Sequence, residues 1–322
     1  MALKVGSLYA GVGGICMGLK NAGFEISWAN EFDKNACITY RNNFDHTLIE
    51  GDIMEIDIQN LEKIDLLAGG FPCQPFSVAG YRKGFSDNRG NHFFRMLEFV
   101  DEMRPKILFF ENVKNLVGHD DGNTFKVIKE EIEKRDYSFH SMVLNTKDYG
   151  NVPHNRERIF IICFDKNFYA DGEYECFSFP DKEPLTKTVR DIVEDKKVDE
   201  KFYYREDKYM YNMLKEAMIN KNTVYQFRRK YVRENKSSVC PTLTANMGTG
   251  GHNVPLVITT EGFRKLTPRE CFLFQGFPDD FKLPPIANSH LYKQAGNSVS
   301  VPVIQSIAKN IMKVVDSKKV LA

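Results

Sequence analysis

A cysteine, a glutamate and two arginines carry the first chemical signal in this chain. Cys73 stands in Phe71-Pro72-Cys73-Gln74-Pro75, directly after the apolar run 65–70. A proline on each side of the Cys-Gln pair restricts φ and fixes the direction of the loop, which suits a thiol that must act from one place. A thiolate is a potent nucleophile even when only a small fraction is ionised near neutral pH. Glu111 and Asn112 close a second apolar run, 106–113. A carboxyl group leaving an apolar strand is partly desolvated, which raises its pKa and lets it donate a proton. Arg156 and Arg158 lie two residues apart on an extended segment. They are expected to point the same way and to hold anions or carbonyl oxygens. The six other cysteines have no such frame and are expected to be inert core thiols.

A second cluster is rich in glycine. Tyr9-Ala10-Gly11-Val12-Gly13-Gly14 follows the first strand-like run. Its glycines let the backbone turn sharply and approach a ligand with no Cβ in the way. Glu31 ends the next run about twenty residues on, where a carboxylate can accept both hydroxyls of a ribose. Asp52, in Gly51-Asp52-Ile53, ends the third run on the same rim. These residues fit a nucleoside-containing cofactor, either a dinucleotide or S-adenosylmethionine. A plain glycine turn joining strand to helix stays open. The glycines depart from the GxGxxG pattern, which favours a ligand without a pyrophosphate.

The elements that must position these residues are legible as an alternation. Apolar runs at 4–10, 25–31, 47–53, 64–70, 106–113 and 158–164 read as buried or partly buried strands. Between them, 14–23, 34–44, 92–103 and 123–136 carry apolar residues at helical spacing. Such alternation implies a mainly parallel, doubly wound sheet. Around 181–222 the pattern breaks into charged, helix-leaning sequence, and a domain boundary is expected there. The closing segment 298–315 reads as an apolar helix that returns to the first domain.

Bulk properties narrow the class. The chain has 322 residues, 42% hydrophobic and 27% charged, enough for one large domain and a smaller one. Its net charge is only +1, so affinity for nucleic acid must come from a local basic patch. No run of about 18 apolar residues exists, and no membrane partner is expected. The N-terminus does not read as a signal peptide. Seven scattered cysteines with no CxxC pair argue against a disulfide framework or a metal site. A cytoplasmic protein with reduced thiols is the expectation.

The blocks "SLYAGVGG", "NEFDK", "GDI", "GGFPCQPFSVAG", "FFENVKNL", "RERIF", "RKLTPRECFLFQGFPDDF" and "YKQAGNSVSVPVI" occur in this order. Together they resemble the DNA cytosine-C5 methyltransferases, in the compact form found in bacterial restriction–modification systems. The resemblance covers the chain except roughly residues 181–262. It implies a Rossmann-like α/β methyltransferase fold: a mixed, mainly parallel sheet with helices on both faces, plus a smaller target-recognition domain of strands and loops. The boundaries implied are 1–180 with 285–322 for catalysis and cofactor, and 181–284 for recognition, the variable part being about 223–262. By the same resemblance Cys73 attacks C6 of a flipped-out cytosine, Glu111 protonates N3, Arg158 contacts the base carbonyl and Arg156 helps order the site. S-adenosylmethionine would meet Tyr9, Gly11 and Gly13 on its methionine side, Glu31 at its ribose and Asp52 and Ile53 at its adenine. Ala10, Gly14, Phe32 and Phe71 would also line its site. Asn297 and Ser298 would close the pocket. Three residues depart from the pattern: Tyr9 where Phe is usual, Ser7 where an acid is common, and His154 where Gln is frequent. The hydroxyl of Tyr9 needs a partner.

Double-stranded DNA is the expected substrate, with a cognate restriction endonuclease as functional partner and a monomer as the working form. Arg228, Arg229, Lys230, Arg233 and Lys236 alternate with Tyr225, Phe227 and Tyr231, a composition suited to phosphate contact and base-edge readout. Of these, Arg228, Arg229 and Arg233 are expected to contact DNA. Thr242 and Thr244 follow as backbone or base contacts, and Gln74, Ser77 and Arg82 sit in a loop expected to close on the duplex. Competing readings are a tRNA-directed relative, a catalytically silent DNA-binding protein, and, from the glycine loop alone, a dinucleotide oxidoreductase.

Overall fold

Strands β1 (Lys4–Leu8), β2 (Glu25–Glu31), β3 (Thr47–Glu50), β4 (Leu66–Gly69), β5 (Ile107–Val113), β6 (His140–Asn145) and β7 (Glu157–Phe164) form one sheet in this computed structural model, ordered β3-β2-β1-β4-β5-β7-β6. The structure describes residues 2–72, 91–228, 230–249 and 253–321. The pairs β2–β3, β1–β2, β1–β4 and β4–β5 are parallel, whereas β7 runs antiparallel to β5. Ile107 through Asn112 are all buried, so the central strand is covered on both faces. That cover comes from helices. After α1 (Gly14–Asn21) and α2 (Lys34–Arg41), α3 (Asn91–Met103) and α4 (Asn123–Glu133) bury Phe93, Met96, Leu97, Val100, Ile128 and Ile132 in one core with Leu67, Leu108 and Phe110.

Local chemistry starts these helices where the cofactor rim needs them. Gly13 caps α1 at φ +89, and a Cβ there would fall 2.2 Å from the Phe44 ring. Neither the backbone nor the space admits a side chain. Asp33 caps α2, accepting from the amides of Asn35 (3.0 Å) and Ala36 (3.2 Å).

The chain forms two compact units. The first holds Met1–Leu144, Glu157–Asp181 and Val303–Ala322, and the second holds Asn145–Arg156 and Lys182–Pro302. The second unit is built on a four-stranded antiparallel sheet of β8 (Tyr225–Arg228), β9 (Tyr231–Glu234), β10 (Leu256–Thr259) and β11 (Gly262–Lys265), ordered β9-β8-β10-β11. It also contains α5 (Tyr211–Ala217), α6 (Pro268–Leu273) and α7 (Asn288–Asn297). Met210, Leu214, Met218, Tyr225, Leu256 and Ile258 make its small core. The C-terminal helix spans Val301–Leu321. No helix among the described residues is long and apolar enough to cross a membrane.

Four features differ from the sequence reading. Residues 285–302 and 145–156 fall in the second unit. The cause is close packing within it: a Cβ on Gly296 of α7 would lie 2.2 Å from the Thr244 carbonyl carbon, and His154–Asn155 pairs with Cys240–Pro241. The charged stretch 181–222 forms only one seven-residue α-helix. Its acids cap short turns instead, Asp191 accepting from the Thr188 amide at 2.7 Å and Asp199 from the Lys201 amide at 3.1 Å. Strand β6 gave no apolar run because Ser141 and Met142 are exposed. Among the cysteines, Cys16, Cys37, Cys163, Cys240 and Cys271 are buried, but Cys176 is exposed and is not a core thiol.

The second unit depends on an ion pair with no exposure at either end. Arg264 binds Glu270 at 2.6 and 2.8 Å and donates to the carbonyl of Glu194, while Glu270 also accepts the amides of Glu194 and Thr267. Arg264→Met strands a buried carboxylate and is expected to cost about 3–5 kcal/mol. Urea unfolding of the two proteins measures it, and a loss under about 1 kcal/mol would contradict the assignment.

Candidate active site

The tips of β1, β2 and β3 form one rim. Gly11, at φ +57, donates its amide to Oε2 of Glu31 at 2.8 Å. The amides of Phe32 (2.9 Å) and Asp33 (2.7 Å) reach Oε1 of the same carboxylate. Three backbone donors therefore set the orientation of Glu31, and a carboxylate has about four acceptor sites, so capacity remains for a hydroxyl. Phe32 presents its ring 72% exposed. Asp52 caps a short turn through the Met54 amide at 3.0 Å, with Ile53 buried behind it. Ala10 is buried and donates its amide to Asn30, and Gly14 opens α1. Phe71, expected at the cofactor, has its ring in the core against Phe93 and Phe110.

Tyr9 has found its partner. The hydroxyl lies 3.0 Å from Nδ1 of His92. Burial first, and the charge of Asp52 second, push its pKa well above the usual tyrosine value, so the proton stays on.

Glu111 and Arg158 meet because β5 and β7 are antiparallel. The register sets Val113 opposite Arg158 and Glu111 opposite Phe160, so Glu111 and Arg158 are diagonal neighbours on one face. Arg158 Nε sits 3.1 Å from Glu111 Oε1, and Glu111 is only 8% exposed. A Cβ at Gly70 would fall 3.3 Å from Glu111 Oε2, so the glycine after β4 leaves the carboxyl its space. A buried carboxyl beside a guanidinium is a hydrogen-bonding and proton-handling pair suited to the polar edge of a flat ring.

Arg156 and Arg158 do not work as a pair. Arg156 is buried and donates to the carbonyls of Leu243 (3.0 Å), Gly296 (3.2 Å) and Ser298, all within the second unit. Its role is to tie the segment after β9 to the end of α7, where Asn297 and Ser298 lie. His154 accepts the Leu243 amide at Nε2, 3.2 Å away. In the β8–β9 hairpin Arg228 and Arg233 are exposed and both donate to Oε1 of Gln226. The hydroxyl of Thr242 is engaged by the Asn155 carbonyl at 2.6 Å, and that of Thr244 by Asn246. Cys73, Gln74, Ser77, Arg82 and Arg229 lie outside the described residues.

Sequence reasoning missed two latches. Asn30, buried in β2, donates to the carbonyls of Ile49 (3.0 Å) and Gly51 (2.9 Å), and so ties the tip that carries Glu31 to the turn before Asp52. Asn112 donates to the Phe71 carbonyl at 2.8 Å. That bond anchors β5 to the segment leading toward Cys73. The available signal was a buried-looking Asn at the end of an apolar strand, which must have both amide ends satisfied.

Comparison with known proteins agrees with this geometry. The profile of the family described as "C-5 cytosine-specific DNA methylase" matches residues 3–313. The Type II methyltransferase M.Bsp6I of Bacillus sp. (strain RFL6) is 58% identical over 315 residues, covering 97% of this chain and 99% of its own. The Type II methyltransferase M.HhaI of Haemophilus parahaemolyticus is 39% identical over 322 residues, covering 96% and 94%. Among solved structures, S. pombe Dnmt2 methyltransferase is similar in fold, with a TM-score of 0.73 at 19% identity over 98% of this chain and 99% of that one.

Proposed function

The chain belongs to the C-5 cytosine-specific DNA methylases, and from that membership we propose that it transfers a methyl group from S-adenosylmethionine to C5 of a cytosine in a short, specific duplex sequence. The observation that carries the reading is the buried Glu111–Arg158 pair, 3.1 Å apart. It presents a carboxyl and a guanidinium side by side, as the N3–O2 edge of cytosine requires.

The cofactor rim fits a nucleoside. Glu31 is held by three amides with acceptor capacity left for a ribose hydroxyl, and the exposed ring of Phe32 offers a flat apolar face. Asp52 and Ile53 are suited to the base. When bound, S-adenosylmethionine supplies an electrophilic methyl group.

The protein's own residues make cytosine able to accept it. C5 of the free ring is a poor nucleophile. Addition of the Cys73 thiolate at C6, with Glu111 giving a proton to N3 and Arg158 holding the carbonyl oxygen, makes the ring enamine-like. Once C5 carries the methyl group, loss of the C5 proton to a base, return of the N3 proton to Glu111 and expulsion of the Cys73 thiolate restore the aromatic ring, so one difficult step becomes several easier ones. The target base is inaccessible in a duplex and must be extruded. The second unit acts as the recognition domain. Its β8–β9 hairpin and the segment around Thr242 and Thr244 approach the duplex, Arg228 and Arg233 supplying positive charge to an otherwise nearly neutral chain. Arg156 orders this unit. On the names its relatives carry we assign the enzyme to a Type II restriction–modification setting, and we propose that it acts as a monomer in the cytoplasm beside a cognate endonuclease.

Incubation with methyl-labelled cofactor and either duplex DNA or tRNA tests the substrate: label is expected on the duplex. Transfer to tRNA alone would sink the DNA reading. Bisulfite sequencing of DNA from cells expressing the protein then reports which cytosine is modified.

A further inference from the structure

Tyr9 holds φ +53, a left-handed conformation that a tyrosine keeps only where its surroundings impose it. Strand β1 ends at Leu8, and beyond Tyr9 the backbone is held by the Ala10 amide on the Asn30 carbonyl at 2.9 Å. The side chain of Tyr9 is held as well. The hydroxyl lies 3.0 Å from Nδ1 of His92, and the two rings meet edge to face with centroids 5.7 Å apart. His92 is the second residue of α3. Arg95, one turn further along, donates through Nε to the Ile53 carbonyl at 3.1 Å and through Nη2 to the Ile56 carbonyl at 2.5 Å. A single turn of helix thus grips both loops that carry the proposed cofactor residues, 9–14 and 52–53.

We infer that His92 is a positioning residue of the cofactor site, acting through the Tyr9 hydroxyl to hold the glycine loop at the spacing from Asp52 that a nucleoside cofactor requires. The inference rests on the assignment of these two loops to S-adenosylmethionine. His92 itself needs no contact with the ligand. Removing it lets Tyr9 relax from its constrained conformation, and the loss falls on binding rather than on the chemical step.

Titration calorimetry with S-adenosylmethionine on the full chain, and initial rates on duplex DNA, test this. His92→Leu is expected to weaken cofactor binding about tenfold, because the half-buried Tyr9 hydroxyl loses its partner. The change is expected in the KM for cofactor, not in kcat or the KM for DNA. Adding Tyr9→Phe to His92→Leu is expected to weaken binding little further, since the bond it would remove is already gone. His92→Asn, whose amide can take the place of Nδ1, is expected to stay within about threefold of the parent. Should His92→Leu fail to fold, Tyr9→Phe and His92→Asn decide: weaker binding in the first with parental binding in the second supports the inference, and the reverse overturns it. Strictly additive effects, or parental affinity in His92→Leu while Glu31→Ala weakens binding, overturn the inference and leave the cofactor assignment standing. Binding that survives Glu31→Ala as well overturns the assignment and the inference together.

Discussion

Cys73→Ala is expected to abolish methyl transfer to duplex DNA while the variant still binds that duplex. Cytosine C5 has too little electron density to take a methyl group unless something adds at C6. Alanine offers nothing that can add, and in the proposed site the buried Glu111 beside Arg158 would polarise the ring without supplying an electron pair. Loss of a covalent nucleophile typically costs about 10⁴-fold or more, which places the variant at background. Duplex affinity should survive, because it comes mainly from contacts with phosphates and base edges elsewhere. Methyl-label incorporation and gel retardation on one preparation read the two properties together. A duplex containing 5-fluorocytosine sharpens the result: the parent should form a denaturation-resistant adduct, since fluorine cannot leave as the C5 proton does, and the variant none. Persistent turnover in Cys73→Ala would remove the nucleophile assignment.

Glu111→Gln is expected to lower kcat about 10²- to 10⁴-fold, the usual range for a positioned proton donor. The substitution is nearly isosteric and still fits the space above Gly70, so the fold should be unchanged. What it removes is the group proposed to deliver a proton to N3 as the thiolate adds. It also leaves the Arg158 guanidinium beside an amide in place of its carboxyl partner. Single-turnover rates at saturating cofactor and DNA isolate this from binding. The double variant Glu111→Gln/Arg158→Ala should be scarcely slower than the worse single variant, because the two groups act on one edge of one ring. A rate for Glu111→Gln within about tenfold of the parent would mean that N3 is protonated from elsewhere.

Much of the catalytic unit was legible before any coordinates. The run 106–113 is apolar at both parities, which only a strand covered on both faces can satisfy, and it became the central β5. The stretch 34–44, with apolar residues at helical spacing, contains α2. The second unit was far less legible. Its acids read as the polar faces of helices, yet Asp191 and Asp199 bond to nearby amides, and that choice between local partners leaves no periodic trace. Strand β6 was invisible because its exposed residues break the apolar pattern that marks the others. Arg156 and Arg158 looked like a pair from their spacing, but spacing cannot say that three carbonyls far along the chain would claim one of them.

The sequence by itself determined the kinds of chemistry present: a thiol framed by prolines, a glycine-rich turn, and acids at the ends of successive strands. These are local properties, set by residue type and by neighbours a few positions away, and so they survive without a fold. Only the tertiary structure decided which groups meet. Glu111 faces Arg158 because β7 runs against β5, a register no local pattern encodes. Tyr9 meets His92 across 83 residues, and Asn112 reaches Phe71 across 41. Such contacts follow from burying a sheet between helices, where a polar group left unmatched costs more than the chain can easily spare, so each finds its partner by packing rather than by proximity in sequence.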